Sequence, residues 1–421
     1  MLQDILALQK RELDARLAEL YVKREAKFRN VSSDLIKVVI GPRRAGKSFF
    51  AIHELQKLGS FGYVNFDDEQ LAKIDNFNEI LAAVDSLYGS PHFLLLDEIQ
   101  NFPKWELLAN RLQRQGRNLF LTGSNSNLLG AELATHLTGR HTLAYIFPFS
   151  FAEFLELEKK SLTTPETKQK LLEFATYGGF PEPAVKKLDY ADYISRLFDA
   201  IFYKDIVARY KIRRIKAMQE IARILFSNVA REFSYNSLKK SISGTSTITL
   251  QRFVLYLEEA FVFFEVPRFS FKPKEQVHSN KKIYCFDNGF VFAKAFKSSP
   301  DWGRLFENLV AIELKKGEIE QRHKVFFWKN AQHEEVDFVI KHGTKITALM
   351  QVCYDISNPD TKKREIRALI KAKQELKCDN LIVLTNDYGN EEEAEWFGEK
   401  AKIKYIPLWK WLLGKESRNK K

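Results

Sequence analysis

Near the start of the chain, Gly41-Pro42-Arg43-Arg44-Ala45-Gly46-Lys47-Ser48 combines two glycines, a lysine and a hydroxyl in the spacing G-x-x-x-x-G-K-S. Glycines so placed let a backbone wrap an anion with its amide N–H groups turned inward, and a helix starting at Lys47 adds the positive end of its dipole. Lys47 is spaced to reach the β- and γ-phosphates of a nucleotide, and the Ser48 hydroxyl to coordinate Mg²⁺. Gly41, Pro42, Arg43, Arg44, Ala45, Gly46, Lys47, Ser48 and Phe49 are therefore expected to bind ATP, with Mg²⁺ as the second cofactor.

A second chemical pair follows the apolar run Phe93-Leu94-Leu95-Leu96. It delivers Asp97 and Glu98 at the carboxyl end of a strand, where ligands bind in open α/β sheets. Asp97 is expected to hold the metal with Ser48, and Glu98 to orient and polarise the attacking water, since phosphoryl transfer needs positioning and charge neutralisation. Capping of the next helix is the alternative role for this pair, and it leaves the nearby Gly-Lys-Ser unexplained. Leu119-Phe120-Leu121-Thr122 ends in Gly123-Ser124-Asn125-Ser126-Asn127, which makes Asn125 or Ser124 a candidate γ-phosphate sensor, although such clusters also build plain turns. Arg140 is a candidate arginine finger for a neighbouring copy in a homo-oligomer, or an exposed ion-pairing side chain.

The elements that must position these groups are legible as patterns. Leu35 to Ile40 is β-branched and runs into Gly41-Pro42, the profile of a buried strand entering a turn, and a helix from Lys47 to Leu58 follows. Further strands are expected at 62–66, 93–97, 119–122 and 143–147, separated by helical stretches, which implies a parallel α/β sheet. Apolar positions among charges over 2–28 predict an amphipathic helix, within an N-terminal segment 1–34. Pro148 closes the core at 35–148, and 149–216 reads as mostly helical around the turn Tyr177-Gly178-Gly179-Phe180-Pro181-Glu182-Pro183. Helices at 218–229, 235–242 and 249–260, then strands at 261–266 and 282–286, match the order of a winged helix over 217–290. From Leu305 to about Leu413 helix and strand alternate again, predicting a second, smaller α/β domain within 291–421.

The chain has 421 residues, 45% of them hydrophobic, too many for one core and enough for roughly three. A net charge of +12 favours polyanions such as double-stranded DNA. The cysteines Cys285, Cys353 and Cys378 lack CxxC spacing, and no uncharged run approaches a bilayer span of about 20 residues. A cytoplasmic protein with no membrane partner is expected.

These stretches resemble bacterial and archaeal AAA-type ATPases that carry a C-terminal domain of unknown function. The resemblance rests on Ile40 to Ser48, Tyr63-Val64-Asn65-Phe66-Asp67-Asp68-Glu69, Leu96-Asp97-Glu98-Ile99-Gln100, Thr122-Gly123-Ser124, Thr138-Gly139-Arg140, Pro148 to Phe154, Gly178-Gly179-Phe180-Pro181-Glu182 and Lys204-Asp205-Ile206-Val207. It implies an α/β protein: an AAA-like P-loop core with a parallel sheet and a helical lid, followed by a winged helix and a smaller restriction-nuclease-like α/β domain.

Basic residues Lys239, Lys240, Arg252, Lys272, Lys274, Lys281 and Lys282 suit a winged helix on DNA, while such modules also dock proteins. In the last domain Glu307, Asp337 and the strand Met350-Gln351-Val352-Cys353 are similar to a restriction-type nuclease core. Gln351 stands in place of the second acid and Cys353 in place of the lysine, so nuclease activity is not expected. The expected function is an ATPase coupling nucleotide state to DNA binding. The rivals are a switch that docks a protein partner and an ATP-gated nuclease.

Overall fold

The computed structural model describes residues 2–71, 74, 76–123, 137, 139–242, 244–295 and 300–414. The chain divides into two compact units, Met1–Phe149 with Phe180–Lys187, and Ser150–Gly179 with Leu188–Lys421.

In the first unit β1 (Ile36–Ile40), β2 (Phe61–Asn65), β3 (Phe93–Asp97), β4 (Asn118–Gly123) and β5 (His141–Tyr145) form one sheet in the order β2-β3-β4-β1-β5. Every pairing is parallel. Val38, Val39, Leu95, Leu96, Phe120 and Leu121 are fully or almost fully buried, as expected for strands covered on both faces. The order places β4 between the strand that feeds the glycine loop and the strand that ends in Asp97, so three carboxyl ends converge on one edge.

The helix expected over 2–28 ends earlier, at Ala18. Its apolar side buries Ile5, Leu6 and Leu13. Gln9 fastens it to the end of β2, with Nε2 donating to the Asn65 carbonyl at 3.1 Å and Oε1 accepting the Asn65 amide at 2.9 Å. Beyond Ala18 the local helical preference is overridden by tertiary partners. Arg24 donates to the Ala45 carbonyl at 2.8 Å and also to the Phe147 carbonyl, and its guanidinium lies 5.0 Å from the centre of the Phe149 ring. Each such charged hydrogen bond is worth about 1.5–3 kcal/mol, more than the preference of a few residues for helix.

The second unit begins with helices Phe151–Leu155 and Thr164–Tyr177 and continues, after Lys187, with Tyr190–Ala200 and a π-helical stretch Ile201–Ala208. Helices Ile215–Ser227, Tyr235–Ser241 and Thr247–Glu259 follow, with a three-stranded antiparallel sheet of β6 (Arg231–Phe233), β7 (Phe263–Pro267) and β8 (Lys281–Cys285) in the order β6-β8-β7. The link between β7 and β8 contains a short helix, Pro273–His278. After helix Trp302–Ile319 comes a six-stranded sheet of β9 (Lys324–Lys329), β10 (Glu335–His342), β11 (Lys345–Cys353), β12 (Leu381–Thr385), β13 (Asn390–Trp396) and β14 (Glu399–Pro407), with helix Pro359–Leu376 packed on it. Its order is β13-β14-β12-β11-β10-β9. The three cysteines are buried free thiols.

Two buried polar anchors organise this unit. Asp287 accepts the Gly179 and Gly289 amides, each at 2.8 Å, which fixes the glycine pair after the Tyr177 helix. Lys282 of β8 is 2% exposed, and its ammonium meets Glu335 at 2.6 Å and Glu307 and Asp337 at 2.9 Å each. Burial alone would strip its proton, but Asp337 and Glu307 hold the proton on, well above the usual lysine range. Burial, reinforced by the Asp337 charge, lifts Glu307 to about 8. Removing one partner of a buried ionic cluster costs about 3–5 kcal/mol because the charges left behind stay desolvated. Lys282→Ala should therefore lower the unfolding free energy of the second unit by an amount in that range, read as a lower urea midpoint, and a midpoint equal to wild type in urea unfolding would refute the anchor role.

Candidate functional site

The loop after β1 has the shape its glycines imply. A β-carbon on Gly41 would lie 1.8 Å from the Ile146 carbonyl oxygen, so the close approach of β1 to the end of β5 admits no side chain there. Gly46 has φ +92, in the left-handed region that favours glycine, and it leads directly into helix Lys47–Gln56. The Lys47 ammonium donates to the Pro42 carbonyl at 2.9 Å and lies 4.0 Å from Glu98. Lys47 is thus folded across the loop whose amides would face a phosphate.

Asp97 is 2% exposed at the end of β3. Its Oδ1 accepts the Ser48 hydroxyl at 2.8 Å and the Thr122 hydroxyl, and its Oδ2 accepts the Tyr63 hydroxyl at 3.1 Å. Burial, then the adjacent Glu98 charge, push its carboxyl above the ordinary range, while Thr122, Ser48 and Arg16 pull it down. A buried, electron-rich oxygen beside a serine hydroxyl is the donor set a divalent cation takes, so the residues present fit Mg²⁺. Glu98 sits at φ 50, an uncommon conformation for a residue with a side chain. Its amide donates to Thr122 Oγ1 at 3.0 Å, and its carboxylate accepts from the Gln100 amide. This corner turns Glu98 toward Lys47 instead of along the strand.

Around these groups lies a cavity of about 440 Å³. Its lining includes Arg43, Arg44, Lys47, Ser48, Asp97 and Glu98 together with Leu20, Tyr21, Val22, Pro181, Val185 and Lys186. Phe49 also lines the cavity. Two stretches on which the resemblance rests meet here: Arg44 of the loop pairs with Glu182 of the Gly-Gly-Phe-Pro-Glu turn at 3.5 Å.

Sequence reasoning missed four residues of this site. Tyr63 and Thr122 lie in stretches that carry the resemblance but were given no role, and Arg16 and Arg24 carry no motif and lay in a stretch read as helix. A threonine ending the strand between the two nucleotide-binding strands was the available signal for Thr122. Arg16 donates from NH1 to Tyr63 at 2.9 Å and lies 3.9 Å from Asp97.

The structure does not bring Arg140 to these groups within the chain. Its carbonyl accepts the Ile36 amide, and Ile36 pairs with His141, so Arg140 stands at the amino ends of β1 and β5. The phosphate loop leaves the other end of β1, about 15 Å away at ~3.3 Å per residue. Asn125 and Ser124 lie outside the described residues.

In the second unit, Glu307, Asp337 and Gln351 do come together. Gln351 Oε1 accepts the Asp337 amide at 3.1 Å, and its Nε2 donates to Glu365. The Lys282 ammonium, from β8, lies among Glu307, Glu335 and Asp337. Cys353 itself bonds to the Asp355 carbonyl at 3.3 Å.

An AAA domain model matches residues 33–155, and two domains of unknown function, DUF8612 and DUF4143, match 168–300 and 302–411. An uncharacterized protein of Methanocaldococcus jannaschii is 36% identical over 402 residues, covering 90% of this chain and 88% of that protein. An uncharacterized protein of Haemophilus influenzae is 26% identical over 411 residues, covering 94% and 98%. The Walker-type ATPase of Pyrococcus abyssi superposes with a TM-score of 0.41 at 12% identity, over 61% of this chain and 90% of that one. With a P-loop ATPase core at 33–155 and two domains of unknown function behind it, the chain belongs to the family of the M. jannaschii protein.

Proposed function

We propose that this protein hydrolyses ATP with Mg²⁺ at the carboxyl edge of the five-stranded sheet. The observation that carries the reading is the buried Asp97 carboxylate bonded to the Ser48 hydroxyl at 2.8 Å, beside a glycine cradle and Lys47. Ser48 and Asp97 would hold Mg²⁺, which supplies charge neutralisation on the phosphate oxygens. Lys47 leaves the Pro42 carbonyl to meet the β- and γ-phosphates. Glu98, already turned into the site, accepts a proton from the attacking water and orients it in line with the bond to be broken. Tyr63 and Thr122 keep the Asp97 carboxylate fixed, so little reorganisation is needed during the reaction.

We further read residues 217–290 as a winged helix that engages double-stranded DNA, with affinity set by the nucleotide. Lys239, Lys240, Arg252 and Lys274 are exposed and able to meet phosphates. Three of the basic residues expected to help are committed elsewhere: Lys282 is buried, Lys281 pairs with Glu265 and Lys272 with Glu275. A second reading, docking of a protein partner, draws on Ile248, Leu255, Phe271 and Val277, which are 64%, 47%, 68% and 72% exposed. The 302–411 domain we read as a nuclease-like fold without nuclease chemistry, because a lysine ammonium fills the space among its carboxylates.

Lys47→Ala should abolish nucleotide binding, and Glu98→Gln should keep binding while lowering kcat by about 10²–10³-fold, measured by calorimetry and phosphate release. Full turnover in Glu98→Gln would remove Glu98 from the mechanism. DNA affinity, measured with and without ATP, should fall steeply as salt rises and change with nucleotide. A salt-insensitive, nucleotide-insensitive affinity near background would transfer the role of 217–290 to a protein partner.

A further inference from the structure

We propose that Arg16, on the N-terminal helix, is the guanidinium that meets the γ-phosphate in the chain's own site. The inference rests on the ATP reading and deepens it.

Phosphoryl transfer places charge on the γ-phosphate oxygens, and an arginine aimed at them is a recurring way of stabilising it. Arg140 stands at the opposite end of the sheet and is unsuited to that role within one chain. Arg24 is occupied by the Ala45 and Phe147 carbonyls and the Phe149 ring. Arg44 is turned to Glu182. Arg16 is differently placed. It lines the same cavity as Lys47, Ser48, Asp97 and Glu98, and its side chain remains 30% exposed there.

Its position is fixed by the fold. Gln9, two turns earlier on the same helix, bonds to both the carbonyl and the amide of Asn65 at the end of β2, and its Nε2 also donates to Asp68 at 3.2 Å. Leu13 lies between them and is buried with Phe50 and Phe120 of the nucleotide-binding core. The register of β2 and β3 pairs Asn65 with Asp97, so a helix fastened at Asn65 presents its last turn to the residue that would hold the metal. Arg16 then reaches Tyr63 at 2.9 Å and stands 3.9 Å from Asp97. Among the described residues, one of its five N–H donors has a hydrogen-bond partner. The others are available to a phosphate carried by the metal on Asp97. A guanidinium at this place would recognise a triphosphate and be indifferent to a diphosphate, making the N-terminal helix a reader of the γ-phosphate.

The test uses the full chain with Arg16→Ala, Arg16→Lys and Tyr63→Phe. Affinities for Mg·ADP and for a non-hydrolysable Mg·ATP analogue are measured beside kcat. Arg16→Ala should leave ADP affinity within about threefold of wild type, weaken the triphosphate analogue by about tenfold or more and lower kcat by about 10²–10³-fold. Arg16→Lys should recover part of the triphosphate binding and little of kcat, because an ammonium lacks the planar fork. Tyr63→Phe should keep the preference for triphosphate. Equal losses for ADP and the triphosphate analogue in Arg16→Ala, or the same loss of preference in Tyr63→Phe, would show that Arg16 merely braces Asp97 and overturn the proposal. So would an unchanged preference and kcat in Arg16→Ala. Wild-type binding compared with Lys47→Ala separates the two levels: no nucleotide binding by wild type sinks the ATP reading and this inference together, whereas normal binding with an indifferent Arg16→Ala sinks this inference alone.

Discussion

A carboxylate removed from water at the end of a strand is the constraint around which the first unit is built. Asp97 sits where burial alone would favour its neutral form, and hydroxyls from three different segments, at Ser48, Thr122 and Tyr63, make its charge tolerable. Those three partners come from the helix after β1, from β4 and from β2. The strand order β2-β3-β4-β1 is therefore a chemical requirement as well as a packing result. A single strand exchange would leave the carboxylate with too few donors, and an unpaired buried charge costs more than any one apolar contact returns.

Much of this was legible from the residues. The strands of the core lay within a residue or two of their expected places, because continuous β-branched and leucine-rich runs have few other uses in a chain of this composition. The glycine loop, Asp97 and Glu98 were legible for a different reason: their chemistry needs particular atoms at particular spacings. What escaped were side chains whose role depends on distant partners. Tyr63 reads as an ordinary strand aromatic until β3 lies beside it. The segment after Ala18 reads as a continuing helix until the Ala45 and Phe147 carbonyls take up Arg24. Lys282 looked like one more surface charge because Glu307, Glu335 and Asp337 come to it from elsewhere in the sequence.

Lys282 also alters the meaning of the last domain. Viewed along β11 alone, Gln351 and Cys353 suggest a site that has lost its charges. Viewed in three dimensions, a charge of the opposite sign stands among the carboxylates: the internal Lys282 ammonium links Glu307 of a helix and Glu335 and Asp337 of β10 to β8 of the three-stranded sheet. The carboxylates thus act as structural acceptors, and the cost of burying them is met inside the fold.

The excursion of residues 180–187 has a consequence for how the protein can be taken apart. The backbone leaves the second unit after Gly179, contributes Pro181, Glu182, Val185 and Lys186 to the wall of the cavity beside the glycine loop, and returns at Leu188. No single break in the chain divides the molecule into its two units. A fragment ending near residue 155, where the AAA domain match stops, would keep the glycine loop, Asp97 and Glu98 and yet lack Pro181, Glu182, Val185 and Lys186 of the cavity wall, so that the module defined by sequence similarity is smaller than the compact unit.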